Sequence, residues 1–229
     1  MKAIILAAGK SSRLGKYTAS QHKCLLKIGG LSILERQIRA FKRAGIEDII
    51  VVKGFAAEKI DSIDARYYIS NDYDKTNMVY SLFCAEPDMQ GDLVICYGDI
   101  LFEDVVLQTL LRTSHDVSVV VDTIWEEYYS ERYENPYEDA ESLVCDSEGR
   151  IIRIGDSHPN PKDVQAQYIG LIKLSSAGSD IFKQKYHVGK EKYWGKPWIR
   201  GRSFQMIYMT DFLQALIDDG IAVHSAPIL

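Results

Sequence analysis

Small residues, cations and one carboxylate stand in this chain at spacings that chemistry on a phosphate chain would use. The run Leu6-Ala7-Ala8-Gly9-Lys10-Ser11-Ser12-Arg13-Leu14-Gly15 lies near the N-terminus, and Lys23 stands ten residues beyond Arg13. Gly9 lets backbone press against an anion, while Ala7 and Ala8 leave room for a base and ribose. Arg13 offers a fork for phosphate oxygens, Lys23 a point charge for an α-phosphate, and Lys10 a further cation. The segment from Leu6 to Lys23 therefore reads as a cradle for a nucleoside triphosphate. Its plain alternative is a glycine turn with surface cations.

Further along, Gly98-Asp99 follows an apolar run. A carboxylate placed at a strand end can hold Mg²⁺ between a triphosphate and a second substrate, or can simply cap a turn. Thr76, Asn77 and Ser81 fall where a helix should begin, and can either read a base or cap that helix. In the second half, Trp125, Tyr128, Tyr129, Tyr133 and Tyr137 alternate with glutamates. Such a cluster suits an ammonium cage, and equally a lid or dimer face. Lys196, Arg200 and Arg202 lie among Trp194 and Trp198, as a phosphate clamp or a solvated loop would.

The elements that must position these groups follow from the patterning. An unbroken apolar run at 3–7 and apolar-rich segments at 48–52, 92–97 and 117–121 predict buried strands, with a further strand at 65–69. Helical spacing at 31–44 ends at Gly45, and 57–63 and 77–86 also read as helices. This strand–helix alternation predicts an α/β fold with a Rossmann-like, mixed, mostly parallel sheet, whose ligands sit beyond the strands' carboxyl ends. Residues 143–145 and 151–154 flank Ser147-Glu148-Gly149 as a hairpin, giving a β-rich insertion. A strand at 168–174, helices at 177–186 and 209–218, and a strand at 222–226 complete the reading. One domain over 1–229 is expected, with a nucleotide-binding half at 1–122 and an acceptor-binding half at 123–229.

Bulk properties narrow the classes. The 229 residues carry a net charge of -5, which leaves no excess cation for general nucleic-acid binding. No stretch approaches the length of a membrane span, and no secretory leader is apparent. The four cysteines form no CxxC pair, which fits reduced thiols in a cytoplasmic protein. The five histidines show no metal-ligand spacing.

The segment LAAGKSSRLGKYTASQHKCLL resembles the pattern LAAGxGSRLxPLTxxxPKxL of the nucleotidyltransferases that activate sugar phosphates and small alcohol phosphates. Val52-Lys53-Gly54-Phe55, Asn71, Asn77 with Ser81-Leu82, Tyr97-Gly98-Asp99 and Tyr168-Ile169-Gly170 extend the likeness along the chain. The segments 77–82 and 209–213 are similar to the branch that uses CTP on phosphocholine or aminoethylphosphonate, including domains fused to phosphoenolpyruvate mutases. The resemblance implies CMP transfer from CTP, with Mg²⁺, onto a small phosphate or phosphonate, releasing pyrophosphate. Sugar-1-phosphate uridylyl, thymidylyl or guanylyl transfer, or nucleotide binding without catalysis, are the alternatives.

That resemblance implies Arg13, Lys23 and Asp99 as catalytic residues. Nucleotide-binding residues would be Leu6, Ala7, Ala8, Gly9, Lys10, Arg13, Lys23, Thr76, Asn77, Ser81 and Gly98. Trp125, Tyr129, Gly170, Lys196 and Arg200 would bind the acceptor. A homodimer is a possible assembly. Two departures stand out. His22 occupies the place of the proline before the lysine, and only Pro227-Ile228-Leu229 follow the last strand, where the family carries a second metal carboxylate. That ligand is expected beyond Leu229 in a longer chain, with Asp122 and Asp211 as substitutes within this one.

Overall fold

The computed structural model describes residues 1–10, 22–60 and 64–229. Its centre is a sheet of seven strands. Five come from the first part of the chain: β1 (Lys2–Ala7), β4 (Asp48–Lys53), β5 (Arg66–Ile69), β6 (Leu93–Tyr97) and β7 (Val117–Asp122). Two more, β10 (Gln167–Leu174) and β11 (His224–Ile228), come from the end. The order across the sheet is β11-β7-β10-β6-β1-β4-β5. All neighbours run parallel except β10, which is antiparallel to both β6 and β7. The mixed, mostly parallel α/β sheet predicted from the apolar runs is present. Strands from the expected acceptor half pair directly into the sheet of the nucleotide half.

Both faces of the sheet are covered, which is why the strands lack alternation. Ile4, Ile50, Val52 and Ile95 face one core, and Ala3, Ile5, Val51 and Val94 face the other; all are fully buried. On the second face lies α1 (Ile33–Arg43), started by a capping box in which Ser32 and Glu35 bond reciprocally. The first face carries α2 (Met78–Phe83), the long α5 (Ser176–Tyr193) and α6 (Met209–Asp218). The helix read over 177–186 thus continues to Tyr193. A short pair, β2 (Lys27–Ile28) and β3 (Leu31–Ser32), precedes α1.

Two helices are absent from the sequence reading, one after β6 and one that opens the insertion. The element α3 (Asp104–Leu111) packs Leu107 and Leu110 onto the sheet, although no side chain caps its start. In the insertion, α4 (Trp125–Ser130) precedes the antiparallel pair β8 (Glu141–Cys145) and β9 (Ile151–Ser157). The expected helix over 57–63 is a single 3-10 turn at Ala57–Lys59 within the described residues. No helix among the described residues is long and apolar enough to cross a membrane. All four cysteines are free.

Candidate active site

The sheet's carboxyl ends open into a cavity of about 360 Å³. Its base comes from Leu6, Ala8, Gly9 and Lys10 after β1, and from Tyr97, Gly98 and Asp99 after β6. These two strand ends lie side by side because Gly98 carries no side chain: a Cβ there would stand 2.8 Å from the Leu6 carbonyl oxygen. Instead the Gly98 amide donates to that oxygen at 2.9 Å. Ala7, between Leu6 and Ala8, faces the opposite core and is fully buried, so it supports the loop from behind instead of lining the cavity. This corrects the sequence reading and follows from the alternation of a strand.

Opposite the base stands the short turn Lys23–Leu25. Lys23 Nζ pairs with the Asp99 carboxylate across the cavity mouth, joining residues 76 apart in sequence. Lys10 lies over the Tyr73 ring, 5.7 Å from its centroid. Arg13 lies outside the described residues.

The third wall is the start of α2. Thr76, Asn77 and Ser81 all line the cavity. Asn77 caps the helix, its Oδ1 accepting from the Met78 amide at 2.8 Å, while its Nδ2 donates to the Met206 carbonyl at 3.2 Å. The Thr76 hydroxyl donates to the Asp72 carbonyl at 2.7 Å, and Ser81 Oγ sits 3.1 Å from Ser70 Oγ. The polar wall is therefore held rigid by its own contacts. Met206 and Tyr208 close the cavity from the loop before α6. Nothing local in the sequence marks them; they reach the site because the chain folds back and the Asn77 amide donates to the Gln205 carbonyl at 2.9 Å. His22, Tyr73 and Tyr97 were likewise not assigned to the site from the sequence, although Tyr97 stands inside a quoted motif.

Burial fixes the protonation of several groups here. It pushes the Tyr97 phenol well above its ordinary range, so it stays neutral, and pushes the Cys24 thiol up to about 12. Cys24 is therefore not a nucleophile at neutral pH. Asp99 is the cavity's carboxylate, and among the described residues no group of three or more His, Cys, Asp or Glu side chains is arranged to hold a metal ion. One carboxylate suits Mg²⁺ only when phosphate oxygens and water complete its octahedron. Asp122 accepts from the Ile124 amide, and Asp211 is buried against arginines, so neither of these substitutes lines the cavity.

The residues assigned to the acceptor separate in space. Trp125 is buried, with Tyr129 and Tyr137 edge-on to it at 5.3 and 5.4 Å, so it forms a small core of its own and no open cage. Each of the three Arg200 nitrogens is engaged: Nε bonds Asp156 at 2.9 Å, Nη1 bonds Asp211 at 2.8 Å and Nη2 bonds the Ile154 carbonyl at 2.6 Å. With Arg202 on the same Asp211 carboxylate, it ties the insertion to α6 and has no fork left for a phosphate. Gly170 sits at φ +92°, where a Cβ would fall 2.6 Å from the Tyr97 ring, so the missing side chain admits Tyr97. Lys196 is exposed on the loop after α5.

Tyr129, in contrast, lines a second cavity of about 210 Å³ with Asp139, Glu141, Ser142, Gln167 and Tyr168. Tyr168 packs edge-on against Tyr97 at 5.7 Å, so one tyrosine pair separates the two cavities. Burial raises the Glu141 carboxyl above its usual range, against the Thr210 hydroxyl that favours its charge. The Tyr168 hydroxyl is buried and makes no hydrogen bond of ordinary geometry among the described residues, the Tyr97 phenol being the polar group beside it.

Residues 3–150, which hold the glycine loop, the Lys23 turn, α2 and Asp99, match the MobA-like NTP transferase domain. The chain belongs to this family. A CTP:phosphoglutamine cytidylyltransferase of Campylobacter jejuni is 36% identical over 95% of this chain and 88% of its own length. A choline-phosphate cytidylyltransferase of Streptococcus pneumoniae is 31% identical over 66% of this chain and 67% of its own length. Among solved structures, a CTP:phosphocholine cytidylyltransferase of Streptococcus pneumoniae superposes with a TM-score of 0.70 at 21% identity, covering 100% of this chain and 90% of that one. The inositol-1-phosphate CTP transferase of T. maritima superposes with a TM-score of 0.73 at 18% identity, over 99% of this chain and 84% of that one. At such identity the superpositions speak to the fold of this NTP transferase domain alone.

Proposed function

We propose that this protein transfers CMP from CTP to the phosphate or phosphonate oxygen of a small acceptor, releasing pyrophosphate. The observation that carries the proposal is the Lys23–Asp99 pair at the mouth of a cavity whose base is the glycine loop. An acceptor oxygen attacks the α-phosphorus and forms the new P–O bond as the bond to the leaving pyrophosphate breaks. No protein nucleophile is needed, since the acceptor is itself an anion; positioning and charge neutralisation supply the rate. Lys23 stabilises charge on the α-phosphate, while Gly9 and Lys10 border the phosphates. Arg13 is the further cation that the sequence supplies for the β- and γ-phosphates. Asp99 would hold Mg²⁺, which supplies Lewis-acid neutralisation when bound.

The choice of CTP is supported by the 36% and 31% identical relatives, both cytidylyltransferases by name. We further propose that the acceptor's far end reaches the polar cavity behind Tyr97. Asp139, Glu141 and the Tyr168 hydroxyl there favour a donor-rich group, an ammonium or an amide, over a bare hydrocarbon. Pyrophosphate release should be measured with CTP, UTP, ATP and GTP against phosphocholine, aminoethylphosphonate, a phosphorylated amino-acid amide and glucose 1-phosphate. Release with CTP and a nitrogen-bearing acceptor is expected. Release only with UTP, or only with the sugar phosphate, would overturn the reading.

A further inference from the structure

His22 is buried, 4% exposed, in the wall of the nucleotide cavity, directly before Lys23. Its backbone, at φ -69° and ψ 145°, caps the turn Lys23–Leu25. Its ring completes the cap: Nδ1 accepts a hydrogen bond from the Cys24 amide at 3.1 Å. An imidazole nitrogen that accepts carries no proton, so in the neutral ring the proton must sit on Nε2. That Nε2 makes no hydrogen bond of ordinary geometry among the described residues, and the polar group beside the ring is the Gly9 backbone. The ring thus stands between the glycine loop and the lysine turn, two segments whose relative placement decides where Lys23 Nζ points.

We propose that His22 is the positioning residue for Lys23: its Nδ1 closes the turn that aims the lysine at the reacting phosphorus, and its Nε2–H spans the gap to the glycine loop. This role rests on the nucleotidyl-transfer reading of the same site. The imidazole does not touch the reacting atoms. Its burial lowers its basicity, against the Gly9 carbonyl and the Asp99 charge, which raise it, and with Lys23, which lowers it further, so the ring stays neutral and Nδ1 stays an acceptor near pH 7.

The backbone and the ring can be tested separately. His22→Asn places an amide oxygen where Nδ1 stands and keeps the cap. His22→Pro imposes the φ already present without any side-chain bond. His22→Leu fills the space and offers neither. The expected result is a kcat lower by about tenfold to a hundredfold for His22→Leu, with KM for CTP changed far less, and recovery of most of that loss in both His22→Asn and His22→Pro. Thermal melting identifies any variant that fails to fold. If wild-type enzyme turns over and all three variants match it, or if Asn and Pro are as slow as Leu, His22 does not position Lys23. Independently of turnover, the ¹⁵N shifts of the His22 ring should report the Nε2–H tautomer in the wild-type protein, and the Nδ1–H tautomer would overturn the proposal. Absence of turnover in the wild type with the Nε2–H tautomer intact would count against cytidylyl transfer, while the tautomer result still decides the geometry of the cap.

Discussion

At the scale of single residues, the site is organised around one cation and one anion that meet only after folding. Lys23 and Asp99 were both legible in the sequence, the first from its spacing after the glycine loop and the second from its place after an apolar run. Their pairing was not, because it depends on the turn that His22 caps and on β1 and β6 lying adjacent. Met206 and Tyr208 were illegible for a similar reason: they enter the cavity through a backbone bond from Asn77 to Gln205, more than a hundred positions away. Arg200 shows the opposite failure. Its type and neighbours suggested a phosphate clamp, but two carboxylates and a carbonyl take its donors. Under the role proposed for Lys23, stabilising charge that develops in the transition state, Lys23→Ala should reduce turnover by about a hundredfold or more. The side chain ends in a partly exposed ion pair with Asp99, a kind of contact worth little to stability, so the melting temperature should stay close to that of the wild type. Rate and melting measured together check this, and undiminished turnover would remove Lys23 from the machinery.

At the scale of elements, the buried strands were readable because both faces of a covered parallel strand are apolar. The direction of β10 was not readable, since an apolar run has no sense of orientation. The helix α3 was missed because Glu103 supplies no side-chain cap and Val105, Val106 and Thr109 weaken its helical signature. Its signal lay in the spacing of Leu107 and Leu110, which face the core.

Two elements carry predictions. The β10 strand is irregular between Tyr168 and Ile172 in its pairing with β7, and Gly170 in that gap makes way for Tyr97. Gly170→Ala must strain a positive φ and displace the Tyr97 ring that separates the two cavities. It should cost about 1–3 kcal/mol of stability and lower turnover as well, as denaturant titration and steady-state rates will show. At the β5 edge of the sheet, Asp88 gathers Arg66 Nη1 at 2.6 Å, Tyr68 Oη at 2.9 Å and Lys2 Nζ at 3.1 Å, joining β5 to β1. Burial pushes the Asp88 carboxyl up, but Arg66, Tyr68 and Lys2 outweigh it and hold it below its ordinary value. A folded value below the unfolded one means that its stabilisation is present above about pH 4 and is lost as pH falls through the lowered value. Asp88→Ala should therefore destabilise the protein by about 1–3 kcal/mol at pH 7, with the difference from wild type shrinking in strong acid.

At the scale of the whole molecule, the glycine loop, the Lys23 turn, Asp99 and α2 all lie within residues 3–150, the part that matches the MobA-like NTP transferase domain. The later residues complete the sheet with β10 and β11 and bring Met206 and Tyr208 over the cavity. The insertion between β7 and β10 adds the second, polar cavity, anchored by the Asp211 ion pairs with Arg200 and Arg202. In the function proposed, one cavity takes the triphosphate and the other, behind a shared tyrosine wall, takes the far end of the acceptor. The decisive measurement follows the phosphorus. CTP labelled at the α-phosphate should pass its label to a nitrogen-bearing phosphorylated acceptor, while label at the γ-phosphate should appear only in pyrophosphate. Label from the γ-position on the acceptor, or α-label recovered only as unchanged CTP with every acceptor in the panel, would contradict cytidylyl transfer.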